Sequence, residues 1–355
     1  MEFLFEYLMF LAKAVTIVVA IMIVFGSLFA LGNKGKNNTG KGHLNIVRLN
    51  DELDDMRDDI KKAVLDKAQW KLALKLEKKR SKEEEKERKQ QAKSTNEDPD
   101  KGTKKRVFVL DFDGDVAANQ VESLREEVTA VLSLAQASDE IMLRLESPGG
   151  MVHAYGLASS QLERIKSAGV PLTICVDKVA ASGGYMMACL ADRLVAAPFA
   201  ILGSIGVLVQ LPNFNRLLRK NEIDYETITA GEYKSTLSTF GEITQKGKEK
   251  VKEDVEEMHV LFKGWVKDHR PSVDIDKIAT GETWVGIQAI ERNMIDEIMT
   301  SDDYIVKACD DADVFEVSYE IKQSLSEKIG VSVHKCLDAT LYSCLRRVRE
   351  SRFFS

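Results

Sequence analysis

Ser182 lies in an otherwise small and apolar stretch, Lys178-Val179-Ala180-Ala181-Ser182-Gly183-Gly184-Tyr185-Met186-Met187-Ala188. Such a run suits a sharp turn from a strand into a buried helix, because glycine accepts backbone geometry and close contacts that a β-carbon blocks. A helix starting there aims its unpaired backbone N–H groups, and the positive end of its dipole, at whatever the serine holds. The chemistry that uses a serine in this position is nucleophilic attack on a carbonyl. The same residues also describe a serine that only caps a helix. The stretch alone does not decide between them.

A nucleophilic serine needs a base. The chain has five histidines, His43, His153, His259, His269 and His334. His43 falls in a tether-like segment, His334 in the C-terminal tail, and His259 and His269 on a long helical pattern. His153 follows Gly150 by three residues but has no acid at a recognisable spacing, so a Ser-His-Asp triad is not expected. Lysine is the other base open to a serine protease. It must be neutral near pH 7, far below the ~10.4 at which a solvated lysine titrates, and burial in an apolar site achieves this by disfavouring the charged form. Hydroxyls suit the task of holding the amine. Lys234 stands among Tyr233, Ser235, Thr236 and Ser238; the chain is rich in lysines, however, and local reasoning does not single it out. Acyl transfer also needs backbone N–H groups for an oxyanion. Ser147-Pro148-Gly149-Gly150 is a turn that can supply them, the proline stiffening it and the glycines letting a carbonyl approach.

These residues need a framework, and the chain has room for one at 355 residues. Val107–Phe112, Ile141–Leu145 and Leu172–Val176 read as short apolar strands. Val121–Leu134 and Tyr155–Lys166 read as the helices between them. That alternation predicts βαβ units and a mainly parallel sheet. Leu194–Leu211 carries no charge; Pro198, Gly203, Ser204 and Gly206 interrupt it, which favours buried strands over a membrane span. Asn213–Lys220 reads as a short helix, Asp224–Ile228 as a strand and Ala230–Thr236 as a loop. Lys246–His269 reads as a long helix stopped by Pro271, and Gly281–Trp284 leads into another helix through Arg292. The five cysteines, Cys175, Cys189, Cys309, Cys336 and Cys344, include no C-x-x-C pair, so neither a metal site nor a disulfide framework is expected. Cys175 and Cys189 read as small buried hydrophobes.

Outside this body the composition changes. Leu8–Leu31 is apolar apart from Lys13, long enough to cross a bilayer, and the acidic start with Glu2 and Glu6 argues against a cleaved signal peptide. Lys34, Lys36 and Lys41 follow the span, so the positive-inside rule points the body toward the cytoplasm. Asn33–Gly42 reads as a flexible tether, Asn50 to about Lys93 as one long, increasingly charged helix, and Ser94–Lys105 as a linker. The C-terminal end carries Arg346, Arg347, Arg349 and Arg352 beside Phe353 and Phe354 and reads as a basic tail. The net charge of −6 argues neither for nor against nucleic acid.

Four motifs together resemble a known family: Arg144-Leu145-Glu146-Ser147-Pro148-Gly149-Gly150, Ala181-Ser182-Gly183-Gly184-Tyr185, Gly203-Ser204-Ile205-Gly206-Val207 and Ala230-Gly231-Glu232-Tyr233-Lys234. In this order they are similar to the signal peptide peptidase A family of serine proteases, closest to its shorter, membrane-anchored members, over about Val107–Met299. The resemblance implies an α/β, ClpP/crotonase-like domain with a Ser-Lys dyad, Ser182 as nucleophile and Lys234 as general base. It matches Gly149 and Gly150 to the oxyanion loop, with Gly183 as a second donor. It implies no cofactor and no metal, peptide substrates, no nucleic acid, and a homo-oligomer that builds its cleft from several copies. It also implies the bacterial inner membrane, with the protease domain in the periplasm against the charge bias. The expected organisation is a membrane anchor over 1–32, contacting lipid through 8–31, and a charged helical region and linker over 33–105. The protease domain then covers 106–300 and a C-terminal extension with its basic tail 301–355. Two other readings of the same residues are an inactive membrane scaffold and a crotonase-type acyl-CoA enzyme.

Overall fold

The computed structural model describes residues 42–72 and 104–320, with isolated positions 9, 13, 16, 75, 76, 79, 82 and 86. The apolar run at 8–31, the charged stretch to Lys93 and the basic tail fall almost wholly outside the described residues. No helix among the described residues is long and apolar enough to cross a membrane.

The apolar strands form the centre of a seven-stranded sheet. β2 (Arg106–Asp113), β3 (Glu140–Glu146), β4 (Leu172–Val176) and β6 (Arg193–Ala196) run parallel in that order. β9 (Glu297–Ile298) adds to β6 at one edge. The strands are mostly apolar because both faces are covered; the charges inside β2 and β3, Asp111 and Arg144, pair with each other. On one face α2 (Val121–Leu132) and α3 (Val152–Ser167) bury Leu124, Val128, Leu162 and Ile165 against Leu110, Leu143 and Ile174. On the other, α9 (Ser301–Asp311) lays Tyr304 and Ile305 over Val107, Met142, Cys175 and Val195. Cys175 and Cys189 are buried and unpaired, and burial pushes the Cys189 thiol up to about 12.

The compact unit runs from Leu44 to Glu320, so it takes in segments expected outside 106–300. β10 (Asp313–Glu320) lies parallel to β2, with Val314 opposite Val107 and Phe315 opposite Phe108. β1 (His43–Arg48), between the expected tether at 33–42 and the helix expected from Asn50, flanks β10. Asn50, at the start of α1 (Leu49–Val64), bonds Cys309 O, Ala312 O and Val314 N–H at 2.8–3.1 Å.

Three further expectations are corrected. The helix from Asn50 is not continuous: Leu65 is extended at ψ 146, and Asp66 restarts the helix by accepting from the Ala68 and Gln69 N–H groups, both at 2.8 Å. The strand at Asp224–Ile228 does not form; its side chains find no buried face, and Ile228 is 92% exposed. The apolar run from Leu194 is core only as far as Ile205, whereas Leu208, Val209 and Leu211 are exposed.

Candidate active site

A second, three-stranded sheet carries Ser182. β5 (Val179–Ala181) pairs in parallel with β7 (Ile201–Gly203), which pairs antiparallel with β8 (Thr283–Val285). Ser182 stands between β5 and α4 (Gly183–Ala188) with φ 52 and ψ −118, a conformation that costs a residue bearing a β-carbon. It is held there by its N–H donating to Gly203 O at 2.7 Å and by its carbonyl accepting from Met186 N–H at 3.0 Å. The side chain is half-buried, and its hydroxyl has no hydrogen-bond partner among the described residues. The helix-cap reading is therefore set aside: Ser182 occupies the cap position of α4 but makes no side-chain cap bond.

The Ser147 turn is tied to the same ladder. Ser147 extends β3 and bridges to Ala180, donating its N–H to Val179 O at 2.8 Å and accepting from Ala181 N–H at 3.0 Å. The chain then doubles back at Gly149 with φ 87. A β-carbon on Gly149 would stand 2.6 Å from Ala181 O and 2.7 Å from both Gly183 N and Ser182 Cβ. Only glycine fits. The Gly149 amide is committed to Ser147 Oγ at 3.1 Å, whereas the Gly150 and Gly183 amides have no acceptor among the described residues. The two free amides thus belong to the residues on either side of the Gly149–Ser182 contact.

Ser204 follows Gly203, the register partner of Ala181. Ser182 and Ser204 therefore leave neighbouring strands in step, both at φ 52. The spacing of Gly203-Ser204-Ile205-Gly206 marked this segment in the sequence, but no local signal showed that Ser204 shares the backbone conformation of Ser182.

Lys234 is placed differently. It sits on an exposed turn, its N–H donating to Gly231 O at 3.2 Å. Its amine makes no hydrogen bond to a described residue, so one chain does not bring it to the Ser182 hydroxyl. The turn is braced by α6 (Gln245–His269): Lys246 pairs with Glu232, and Lys246 and Lys250 lie 5.8 and 5.9 Å from the Tyr233 ring. Neither His153 nor His269 offers a substitute. His153 is exposed, and His269 is engaged with Trp265 O and Glu163. No His, Cys, Asp or Glu group among the described residues could hold a metal ion.

Comparison with known proteins adds what the geometry cannot. Residues 2–162 match the N-terminal region of peptidase family S49, and residues 164–315 match the peptidase family S49 domain itself. A probable protease SohB of Haemophilus influenzae is 47% identical over 331 residues, 93% of this chain and 92% of that relative. A putative protease SohB of Buchnera aphidicola subsp. Baizongia pistaciae is 40% identical over 352 residues, 97% of this chain and 99% of the relative. A solved membrane-bound stomatin-specific protease covers 58% of this chain, and 84% of its own chain is matched. At TM-score 0.39 and 15% identity, that likeness is too slight to argue from.

Proposed function

Because the chain belongs to peptidase family S49, among its SohB-type proteases, we propose that it is a serine endopeptidase with Ser182 as nucleophile and Lys234 as general base. The observation that carries the reading is the Ser182 turn itself: a serine in a costly backbone conformation with a free hydroxyl, flanked by the acceptor-free amides of Gly150 and Gly183. Strain of this kind persists where the surroundings hold it, and it gathers at sites of chemistry.

In the proposed reaction neutral Lys234 takes the Ser182 hydroxyl proton as Oγ attacks the substrate carbonyl carbon. The oxyanion of the tetrahedral intermediate accepts from the Gly150 and Gly183 N–H groups. The lysine ammonium returns its proton to the leaving amine as the C–N bond breaks, leaving an acyl-enzyme. Water, deprotonated by the same lysine, then releases the acid and restores Ser182.

A lysine base must be desolvated to stay neutral, and in one chain Lys234 is exposed. The base for Ser182 is therefore the partner's Lys234, in a homo-oligomer of ClpP/crotonase-like protomers. Supporting this, the segment between β7 and α6 exposes Leu208, Val209, Leu217, Ile223, Ile228 and Phe240, an apolar surface of the kind that subunit contacts cover. The uncharged run at 14–31 supports a bilayer anchor, in the bacterial inner membrane with the protease body on the periplasmic side. Hydrophobic or membrane-derived peptides are the substrates that such a placement would supply.

The test is cleavage of casein and of a hydrophobic signal-peptide substrate by the purified full chain in detergent. Ser182→Ala and Lys234→Ala should each lower the rate at least ~10³-fold. Wild-type rates in either variant would end the proposal.

A further inference from the structure

Tyr155 is fully buried at the start of α3, yet each end of its side chain touches one wall of the proposed oxyanion site. Its hydroxyl donates to Asp115 O at 2.7 Å and lies 2.5 Å from Ser147 Oγ. Ser147 Oγ in turn accepts from the Gly149 N–H at 3.1 Å. A carbonyl only accepts, so the single phenolic proton goes to Asp115 and Ser147 must give its own proton to Tyr155. The bonds therefore run one way, from the Gly149 N–H through Ser147 and Tyr155 to the Asp115 carbonyl, and each polarises the next. The terminus of the relay is fixed as well. Asp115 O also accepts from Ala118 N–H at 3.0 Å, and the Asp115 carboxylate is bonded by Asn119 N–H and Nδ2 at 2.9 and 2.6 Å.

The ring does the rest. A β-carbon on Gly183 would stand 2.4 Å from Tyr155 Cγ and 2.8 Å from both Cδ atoms, so the first residue of α4 rests directly on the aromatic face. Phe112 meets the ring edge-on at 6.4 Å and 74°, and Gly114 leaves the space that the hydroxyl occupies, since a β-carbon there would lie 2.5 Å from it. Burial, partly offset by the Ser147 hydrogen bond, pushes the phenol above its ordinary value. It therefore remains a neutral donor, and the proton order of the relay holds.

Resting on the reading of Ser182 as nucleophile, we propose that Tyr155 is a positioning residue for the oxyanion donors. Its hydroxyl, through Ser147, turns the Gly149 amide inward and leaves the Gly150 amide free, while its ring sets the place of the Gly183 amide. One rigid side chain thus spaces the two donors that must meet a single oxygen. Such preorganisation matters because donors aimed at developing charge need no reorganisation when the charge appears.

The test uses the full-length protein in detergent and three variants: Tyr155→Phe, which keeps the ring and removes the hydroxyl, Ser147→Ala, and the double. Covalent labelling of wild-type Ser182 by a fluorophosphonate is established first; failure there sinks the serine-protease reading and this inference with it. Given labelling, each single variant is expected to lower kcat about 10–100-fold with KM within about threefold of wild type. Both break one relay, so the double should fall no further than about threefold below the worse single. A kcat for Tyr155→Phe within about threefold of wild type overturns the inference while leaving Ser182 in place, as do losses that multiply in the double. If Tyr155→Phe fails to fold, as read by circular dichroism, Ser147→Ala decides by the same kcat and KM criterion.

Discussion

Gly149 and Ser182 are packed so closely that a β-carbon on the glycine would lie 2.7 Å from the serine's own Cβ. The contact joins two chain turns that are thirty-odd residues apart, and the Ser147–Ala180 bridge holds them in register. Gly149→Ala would force φ 87 on an alanine and drive its methyl into Ala181 O and Gly183 N. Unfolding free energy should fall by about 2 kcal/mol or more, with Ser182 labelling down at least ~100-fold. Denaturant titration and labelling rates check both. An alanine variant of wild-type stability would mean that the two turns are not packed as described.

A cleft shared between copies has a signature no single chain can show. Ser182→Ala lacks the nucleophile and Lys234→Ala the base, so each assembles inactive. Co-assembled from denatured or co-expressed mixtures, they should regain activity wherever an intact serine meets an intact lysine from another copy. Mixtures as inactive as their parts would place the base on the same chain as its serine.

Glu127, on α2, is 3% exposed; its Oε1 accepts from Tyr319 N–H at 2.8 Å and its Oε2 is unpartnered among the described residues. Burial, opposed by the Tyr319 bond and aided by Asp111, pushes its pKa up from 4.5 to about 7. The folded protein then keeps a proton that the unfolded chain has lost, and by linkage stability falls as pH rises. The contribution is fully present below about pH 4.5 and is lost as pH climbs through about 7, a span of roughly 3 kcal/mol. Glu127→Gln keeps the acceptor and removes the titration. The difference in unfolding free energy between wild type and this variant should therefore change by that amount from pH 5 to 8, and a pH-independent difference would contradict it.

β10 is the strand between β1 and β2, and it buries Val314 and Val317. Ending the chain after Ala312 strips the edge of β2 and removes the acceptor-bound Tyr319 N–H that Glu127 uses. The truncated protein should be insoluble or show no cooperative thermal transition. A cooperative transition at the wild-type temperature would show that β10 is dispensable.

The sheet was legible because its strands are covered on both faces and so read as mostly apolar runs, broken by the charges of Asp111 and Arg144, with amphipathic helices between them. β10 escaped because Asp313–Glu320 buries only Val314 and Val317, three residues apart, without the alternation of a strand; it also follows a charged helix, and its partner β2 lies some two hundred residues earlier. The expected strand at Asp224–Ile228 has the composition of a strand but no edge to join. At the site, Ser182 and the glycines were visible as motifs, since only small residues tolerate those contacts. Tyr155 was not: it looks like any core aromatic on a helix, and its hydroxyl meets Ser147 only because the chain reverses at Gly149. The Leu65–Asp66 break was readable in principle, since an aspartate before a helical run is an N-cap signal.

Mapping the adduct of a fluorophosphonate on the full chain by mass spectrometry bears most directly on Ser182 and Lys234 as a catalytic pair. The adduct should sit on Ser182 alone, disappear in Ser182→Ala, and form at least ~10²-fold more slowly in Lys234→Ala. An adduct on another serine, or one forming on Ser182 at the wild-type rate without Lys234, would contradict it.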